Sequence, residues 1–490
     1  MSKHISRLFI ILIGLLLLAA AQSCIEEDGN KFTNNPNAYL AFSTDTLKFD
    51  TVFTSIGSAS KQIIVYNKNK NAVRTNVSVQ SNFYHIIVDG TKGNSLNNIV
   101  IRGGDSIYIF VDVTIDPQNS NSPVVILDSI TFATNGNCQS VKLMAYGQDI
   151  HMITDTVIKT QTWKADKPYL ICNSLLIDSL ETLTIEEGTH LHFRPNTSLL
   201  VKGTLKVNGT NENPVVFEGD RLEEYYKNKP GQWGKVSEVE GTKQYLGNIN
   251  FFTSSSNNEI NYAVIRNGVK GVQINSNSDS TTTLKIANTI IENMSIAGIY
   301  AQSTNILVYN TIVTNCGYYA VFLTMGGNYE FFHTTIANYT TTRNTPSLVF
   351  SNYSTSGSNT KLFNFNATFA NSIICGSRSA EFIADMQSSD SLNFNYSFEN
   401  CLINLPRNTN ISDTNTFRNV ILAIDSLPRF VDVEKHNFRL DTLSAAKDKG
   451  KLQYGKLFPT DFDGNSRIDD KLPDLGAFER IENQPITKKP

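Results

Sequence analysis

The chain has 490 residues, with 42 Lys and Arg against 45 Asp and Glu, which gives a net charge of −3 at pH 7. Charged residues make up 18% of the chain, against roughly 25% in soluble domains, so the composition disfavours a nucleic-acid-binding protein. The hydrophobic content of 40% excludes a disordered chain. This length allows about three domains of roughly 150 residues each.

The N-terminus predicts export. Lys3 and Arg7 precede an apolar run over residues 9–21. A membrane-spanning helix needs about 20 apolar residues, so this run is too short, but it suits a secretory signal peptide.

A cysteine follows directly after the apolar run. Ser23 and Cys24, followed by the acidic residues 26–28, resemble the acylation site and surface-export signal of Bacteroidetes-type lipoproteins. The resemblance implies a lipoprotein signal peptide over residues 1–23 and lipidation of Cys24. It also implies an outer-membrane, cell-surface location with the acyl chains as the membrane anchor. The alternative is an ordinary signal peptide with a chance cysteine.

After the predicted signal peptide, the sequence shows a polar linker and five cysteines beyond Cys24. Residues 24–37 are polar and turn-rich, which predicts a tether. The other cysteines contain no CxxC pair, so they predict neither a disulfide framework nor a cysteine zinc site, and we expect buried apolar positions. These cysteines are Cys138, Cys172, Cys316, Cys375 and Cys401.

Residues 38–150 show short alternating stretches separated by turn clusters, for example residues 61–67 and 105–115. Alternation without a helical period predicts an antiparallel β-sandwich. The segment resembles the Ig-like modules of bacterial surface proteins, which implies a spacer or contact surface.

The following region changes character. Residues 175–217 carry brief apolar pairs punctuated by glycines and resemble the first coil of the right-handed parallel β-helices of the pectin-lyase-like superfamily. A repeat follows, with anchors at Tyr262, Asn288, Asn310, His333, Asn371 and Asn400 and steps of 26, 22, 23, 38 and 29 residues. Steps in the low twenties match one three-stranded coil. The fold predicted from the sequence is therefore all-β, an Ig-like sandwich followed by a right-handed parallel β-helix.

Polar anchors have a structural use in a parallel stack. Equivalent side chains lie about 4.8 Å apart, so successive amides can hydrogen-bond along the stack. We therefore predict a structural ladder of Asn288, Asn310, Asn371 and Asn400. His333 occupies the same register and is expected to be a member of this ladder rather than a catalytic base.

The C-terminal stretch, residues 428–479, resembles the close of many bacterial surface β-helix proteins. The resemblance implies last coils and a cap over the open sheet edge. The β-helix with its cap is predicted over residues 151–480, and residues 481–490 are predicted to be a tail.

The sequence offers few groups for catalysis. A lyase needs calcium ligands and a base, and a hydrolase needs two facing carboxyls. The charged residues between 260 and 405 do not recur in facing pairs, and Glu292 shares its repeat slot with Thr314 and Ala337, which predicts an exposed position without a partner. The predicted role is therefore non-catalytic binding or adhesion, toward glycans. The alternative is a polysaccharide lyase or glycoside hydrolase.

Two smaller features are candidate sites. Tyr225, Tyr226 and Trp233 lie in an insertion between repeats. Their rings could stack on sugar faces, although Trp233 could instead be buried.

Asp461, Asp463 and Asn465 offer alternating oxygens of the kind that calcium prefers. The glycine is misplaced for an EF-hand, so a capping turn with Arg467 paired to a carboxylate is the favoured interpretation, and no cofactor is predicted.

Overall fold

The computed structural model describes residues 31–120, 122–239, 242–275, 282–469 and 471–482. The predicted signal peptide, Cys24 and residues 483–490 of the predicted tail lie outside the described residues. The chain divides into two compact units, one up to Asp149 and one from Ile150 onward. Among the described residues, no helix is long and apolar enough to cross a bilayer.

The first unit consists of two five-stranded sheets. One sheet has the order β1-β3-β8-β5-β6 and the other β2-β10-β9-β4-β7. The strands are β1 (Ala41–Phe42), β2 (Thr46–Phe53), β3 (Lys61–Tyr66), β4 (Val73–Ser78), β5 (Tyr84–Val88), β6 (Thr91–Gly93), β7 (Ser95–Ile101), β8 (Ser106–Val113), β9 (Val124–Thr134) and β10 (Asn137–Gln148).

The two sheets bury one shared core. Ile63 and Ile109 of the first sheet cluster with Val77 and Phe132 of the second, because alternate residues of a strand point to the same side. The sandwich differs from a purely antiparallel one in a single respect. Strand β2 runs parallel to β10, while the other pairings are antiparallel.

The second unit is a parallel β-helix. Its main sheet contains 26 strands. In the part of this unit that the structure describes, three antiparallel strand pairs lie outside this sheet: β19 with β20, β32 with β33, and β41 with β42. The strands of the unit are β11 (His151–Ile158), β12 (Gln161–Trp163), β13 (Tyr169–Ile177), β14 (Thr182–Glu186), β15 (His190–Phe193), β16 (Leu199–Val201), β17 (Thr204–Asn208), β18 (Val215–Gly219), β19 (Lys235–Val239), β20 (Thr242–Leu246), β21 (Ile249–Phe251), β22 (Asn258–Asn261), β23 (Ala263–Arg266), β24 (Lys270–Ile274), β25 (Leu284–Ala287), β26 (Ile290–Glu292), β27 (Ala297–Tyr309), β28 (Ile312–Thr314), β29 (Tyr319–Phe332), β30 (Thr335–Asn338), β31 (Leu348–Ser351), β32 (Tyr353–Ser356), β33 (Asn359–Leu362), β34 (Phe365–Ala370), β35 (Ile373–Gly376), β36 (Phe382–Asp385), β37 (Phe394–Glu399), β38 (Leu402–Ile403), β39 (Phe417–Arg418), β40 (Ile421–Leu422), β41 (Phe430–Asp432) and β42 (Asn437–Leu440).

From β15 to β37, each coil contributes one strand, or one half of a long strand, to each of three faces, named here in chain order. The earlier strands β11–β14 pair with the first strands of these faces. Face A contains β15, β18, β23, β26, β28, β30, β35, β38 and β40. Face B contains β16, β21, β24, the first halves of β27 and β29, β31 and β36. Face C contains β17, β22, β25, the second halves of β27 and β29, β34, β37 and β39.

Inward side chains of all three faces form one continuous apolar core. Phe331 and Phe369, on neighbouring coils of face C, stack with ring centroids 4.4 Å apart. Burying each such side chain contributes about 1.5–3 kcal/mol, and only a neighbouring coil supplies that burial. The parallel β-helix predicted from the repeat is thus observed. The right-handed sense of the coil stays a prediction.

The C-terminal segment lies elsewhere than the sequence predicts. Residues 428–482, named here the C-terminal strap, contain β41, β42 and helix α1 (Leu452–Leu457). Strap side chains such as Phe438 and Phe478 share an apolar cluster with Ile312, Ile373 and Leu402, which point outward from face A. The strap therefore covers the side of the middle and late coils. The resemblance noted in the sequence instead implies a cap over the open edge of the sheet. Apolar outward residues on face A explain this position, because they need a cover of their own.

The cysteine prediction is correct in part. All five described cysteines are free thiols. Cys316, Cys375 and Cys401 are buried as expected, but Cys172 is half-buried and Cys138 is exposed. Cys138 lies on β10, where the pairing with β9 turns it outward from the sandwich core, opposite Ala133.

Candidate functional site

The repeat anchors share one corner of the β-helix, between face C and face A. Each has a positive φ of 46–50°: Tyr262, Asn288, Asn310, His333, Asn371 and Asn400. Asparagine tolerates this left-handed conformation better than most residues, because its short amide can bond nearby backbone groups. The repeated Asn therefore marks a backbone turn that recurs once per coil.

Amide side chains connect successive coils at this corner. Asn310 Nδ2 donates to Asn288 Oδ1 at 3.0 Å, and Asn288 Nδ2 donates to Asn261 Oδ1 at 2.9 Å. Asn371 Nδ2 lies 3.2 Å from His333 Nε2. Burial holds the pKa of His333 well below its usual range, so this imidazole is a neutral member of the ladder. Tyr262 takes the turn conformation, but its ring lies against Phe462 of the strap.

The strap occupies the outer side of this corner ladder. Lys451 N donates to Asn371 Oδ1 at 2.7 Å, while Asn371 Nδ2 donates to Lys451 O at 3.1 Å. Asn400 Nδ2 donates to Lys449 O, and Asn310 Nδ2 donates to Thr460 O, both at 2.8 Å. Asn310 and Asn371 are therefore buried under the strap and closed to a ligand, whereas Asn288 is half-buried and lines a small cavity of about 180 Å³.

A second amide ladder, which the sequence analysis missed, follows the corner between face A and face B. Asn293 Nδ2 donates to Asn267 Oδ1 at 2.5 Å, and Asn315 Nδ2 donates to Asn293 Oδ1 at 3.1 Å. Asn267 and Asn293 also donate to the carbonyls of Lys227 and Asn228. This ladder holds the insertion that carries the candidate aromatic residues.

The candidate stacking rings lie in different environments. Trp233 is fully buried. It stacks on Phe193 at 4.3 Å, and its Nε1 donates to Arg266 O at 2.9 Å. Tyr226 lies edge-on to Tyr225 at 4.9 Å. Tyr225 is 71% exposed and Tyr226 is half-buried, so Tyr225 is the most exposed of these three rings.

The candidate calcium residues do not share one cavity. Asp461 is buried and accepts hydrogen bonds from Asn465 N at 2.7 Å and Glu479 N at 2.7 Å. Asp463 instead accepts two hydrogen bonds from the Arg439 guanidinium, at 2.8 and 2.7 Å. The carboxylates thus bond N–H groups and form a turn and an ion pair. Arg467 pairs with Glu479 at 3.0 Å.

A third amide ladder lies on the outer side of face C. Asn328 Nδ2 donates to Asn305 Oδ1 at 2.7 Å, Asn366 Nδ2 to Asn328 Oδ1 at 2.9 Å, and Asn395 Nδ2 to Asn366 Oδ1 at 3.2 Å. Asn305 is half-buried and the other three are exposed. This face-C ladder is therefore a regular row of amides that reaches solvent.

The face-C ladder runs into a polar cleft of about 480 Å³. The strands contribute Asn366, Thr368, Asn395, Tyr396 and Ser397, and the following loop contributes Asp413, Asn415 and Thr416. Hydrogen bonds from Thr416 and Asn415 lower the pKa of the Asp413 carboxyl, so it is ionised at neutral pH. The cleft is thus lined mainly by amides and hydroxyls, with one anion and, in Arg418, one cation.

A charged row on face A was also missed. His192 and Glu218 are register partners on neighbouring coils, Arg266 ends strand β23 of the following coil, and His190 lies two residues before His192 on β15. Arg266 donates to Glu218 Oε2 from Nε at 2.8 Å and from Nη2 at 2.5 Å. Burial lowers the pKa of His192 to about 4, so its ring is neutral at pH 7. The sequence does contain a signal, because His-x-His on a strand puts both rings on one side.

Face B carries a buried amine. Lys270 Nζ lies 3.8 Å from the ring centre of Tyr300 and 4.4 Å from that of Tyr245, and it donates to Gln273 Oε1 at 2.9 Å. Burial lowers the pKa of Lys270 to about 8. The two rings stabilise the charged form by cation–π contact, so this cluster has a role in packing the face.

Glu292 differs from its prediction. It does share its register position with Thr314 and Ala337. Its side chain is 18% exposed, however, and its Oε2 lies 2.7 Å from Nδ1 of His436 in the strap. The partner comes from a distant segment, which a repeat alignment does not reveal.

Comparisons with known proteins identify no family. No family model matches the chain, and no curated protein matches it. Solved structures align only locally. A Porphyromonas gingivalis W83 protein of unknown function is 15% identical over 24% of this chain and 48% of its own, with a TM-score of 0.18. A family 123 glycoside hydrolase from Clostridium perfringens is 10% identical over 22% and 25%, with a TM-score of 0.17. The seventh PapD-like domain of human CEP192 is 8% identical over 24% and 89%, with a TM-score of 0.17. The chain thus covers about half of the first of these structures, and the TM-scores are too low to indicate a shared overall fold.

Proposed function

We propose that this protein is a cell-surface lipoprotein of the Bacteroidetes type, with a pectin-lyase-like β-helix that binds glycans without cleaving them. The observation that carries the binding role is the exposed face-C ladder, Asn305–Asn328–Asn366–Asn395, which leads into the cleft. The proposed anchor rests on the sequence around Cys24.

Ladder geometry favours a hydroxyl-rich ligand. An amide has two donor hydrogens and two acceptor lone pairs. Asn366 uses one donor toward Asn328 and one acceptor toward Asn395, which leaves one of each for a ligand. The hydroxyls of a sugar both donate and accept, so they complement such a row.

The ladder is also organised before binding. Each amide is held by its neighbours, so little side-chain entropy is lost when a ligand binds. Repeated amides at the strand spacing suit a ligand that is itself a repeating chain. A polysaccharide lying along face C and ending in the cleft would use both features.

The charge pattern favours binding over cleavage. A hydrolase needs two free carboxyls on opposite sides of the scissile bond. The cleft holds one carboxylate, Asp413, and its oxygens accept from Thr416 and Asn415. On face A, Glu218 is engaged by Arg266.

The binding test uses the purified chain and an immobilised panel of neutral and acidic polysaccharides. The double variant Asn366→Ala/Asn395→Ala removes the two ladder amides that line the cleft and keeps Asn415. Two lost hydrogen-bonding side chains at about 1 kcal/mol each predict at least a tenfold loss of retention. The matched control is Asn250→Ala/Asn275→Ala, because those residues form a similar amide pair on face B at 3.0 Å.

The outcomes separate the proposals. Equal retention by wild type and the cleft variant would overturn the face-C site. New reducing ends or unsaturated products in the flow-through would instead support an enzyme. The anchor is tested separately with Cys24→Ala and cell fractionation, where unchanged membrane partition would reject lipidation.

A further inference from the structure

Two histidines and a glutamate converge on face A, on coils that precede those of the proposed glycan site. His190 and His192 alternate on β15 with Leu191, so their rings lie on the same outer side. Glu218, on the next coil, is the direct register partner of His192. One ligand atom from each of the three residues lies within 4.8 Å of the others.

The separation between ligand atoms suits a small tetrahedral cation. His192 Nδ1 and Glu218 Oε1 are 3.5 Å apart. Ligands that bind Zn²⁺ tetrahedrally at about 2.0–2.2 Å lie roughly 3.3–3.6 Å from each other. The third ligand, His190, is exposed on the outer side, so it can rotate toward the same centre.

The surroundings orient these groups. Arg266 holds Oε2 of Glu218 with two hydrogen bonds, which leaves Oε1 directed toward His192. The His192 ring also hydrogen-bonds the backbone of Gly219. Metal-binding carboxylates and imidazoles in proteins are commonly fixed by such outer partners.

We propose that His190, His192 and Glu218 bind one divalent transition metal ion of the zinc class, with Arg266 as a positioning residue. Two imidazoles and one carboxylate are the donors that Zn²⁺ accepts. Calcium and magnesium prefer oxygen ligands, whereas two of the three donors here are imidazole nitrogens. Three protein ligands leave a fourth position open for water or a ligand donor.

The test is calorimetric titration of the chelator-treated full chain with ZnCl₂ and, separately, CaCl₂. The expected result is one Zn²⁺ per chain, bound at least a hundredfold more tightly than Ca²⁺. His190→Gln should weaken Zn²⁺ binding at least tenfold. Because His190 is exposed, this variant should keep the metal-free unfolding midpoint of the wild type.

His436→Gln is the matched control. His436 also lies over face A and contacts a glutamate, Glu292, but it belongs to a different pair and should leave Zn²⁺ affinity unchanged. Equal affinity of His190→Gln and wild type would overturn the proposal and leave the cluster as an ion-pair network. A second readout needs no variant. Co²⁺ should produce intense visible absorption bands of tetrahedral coordination, and weak octahedral bands would equally overturn the site.

Discussion

Two of the three amide ladders in this β-helix have the same chemistry and different surroundings. At the corner between faces C and A, Asn310 and Asn371 bond neighbouring coils and are almost fully buried under the strap. On face C, Asn328 and Asn366 form the same side-chain links and stay exposed. The spacing is set by the strands in both cases.

The difference shows that an Asn ladder has no fixed role. A buried amide must find partners inside the protein, because leaving a buried donor or acceptor unsatisfied costs about 1–3 kcal/mol. An exposed amide has water as an alternative partner and can exchange that water for a ligand. Whether the strap covers a ladder thus decides whether its amides stay accessible for the binding that we propose.

The largest predicted effect concerns the side chain that fixes the strap over the corner ladder. Arg467 is buried, pairs with Glu479 at 3.0 Å and donates to Asn310 Oδ1 at 3.1 Å. Arg467→Ala leaves a buried carboxylate and a buried amide oxygen without these donors. We expect the free energy of unfolding of the β-helix to fall by about 3–5 kcal/mol.

Urea denaturation followed by tryptophan fluorescence measures this loss. The chain has 2 Trp, and both Trp163 and Trp233 lie in the β-helix core, so the signal reports that unit alone. The control is Arg407→Ala, whose pair with Asp425 is on the surface with Arg407 72% exposed; it should cost less than about 1 kcal/mol. Equal losses for both variants would show that the strap is not held by Arg467.

The second prediction compares the two ladders directly. Asn371→Ala removes hydrogen bonds to both Lys451 N and Lys451 O and puts alanine at a φ of 48°. The expected loss is about 2–4 kcal/mol, because the N–H and C=O groups of the half-buried Lys451 lose their partner and alanine is strained in the left-handed conformation. Asn366→Ala, on the exposed ladder, should cost less than about 0.5 kcal/mol.

A third variant separates the two causes. Asn371→Gly removes the same hydrogen bonds but accepts the positive φ, so it should be more stable than Asn371→Ala by about 1 kcal/mol. If Asn371→Ala and Asn366→Ala unfolded at the same urea concentration, burial under the strap would not distinguish the ladders.

The repeat made much of this architecture predictable. The anchors at Asn288, Asn310 and Asn371 carry the coil period, and the structure places them at one corner. The two missed ladders could also have been predicted from the sequence. Asn293 and Asn315 follow their anchors by five residues, and Asn305, Asn328, Asn366 and Asn395 precede theirs by five.

The contacts of the strap could not be predicted from the sequence in the same way. The bond from Asn310 to Thr460 joins residues 150 apart, and no periodic pattern records which segment covers which face. The metal candidate shows the same limit. His190 and His192 are visible as a pair, but Glu218 becomes their neighbour only through the register between β15 and β18. Long-range pairing is a property of the folded chain, so local patterns cannot supply it.

A smaller effect is expected from pH, at the contact between face A and the strap. The hydrogen bond to Glu292 raises the pKa of His436. A raised folded-state pKa means that this contact stabilises fully below the unfolded value of about 6.5 and is lost as pH rises through the higher folded value. The contact is partly exposed, so its contribution is below about 1 kcal/mol.

Hydrogen exchange of the β41–β42 hairpin measures this change. Its protection, corrected for intrinsic exchange, should decrease as pH rises from 6 to 9. Glu292→Gln should flatten the profile because the neutral amide no longer favours the imidazolium. A pH profile that is the same in wild type and Glu292→Gln would show that this ion pair does not hold the strap.

The smallest effect on stability is expected from Asn328→Asp on the exposed ladder. The carboxylate can still accept from Asn366 Nδ2, but it can no longer donate to Asn305 Oδ1. Water can replace the lost donor at this exposed position, so the free energy of unfolding should change by less than about 0.5 kcal/mol. Glycan retention should nevertheless fall, because the regular alternation of donors and acceptors is broken in the middle of the row. If this variant lost more than about 1 kcal/mol of its free energy of unfolding and still retained glycans like the wild type, the assigned roles would be reversed. The exposed ladder would then be structural, like the buried one.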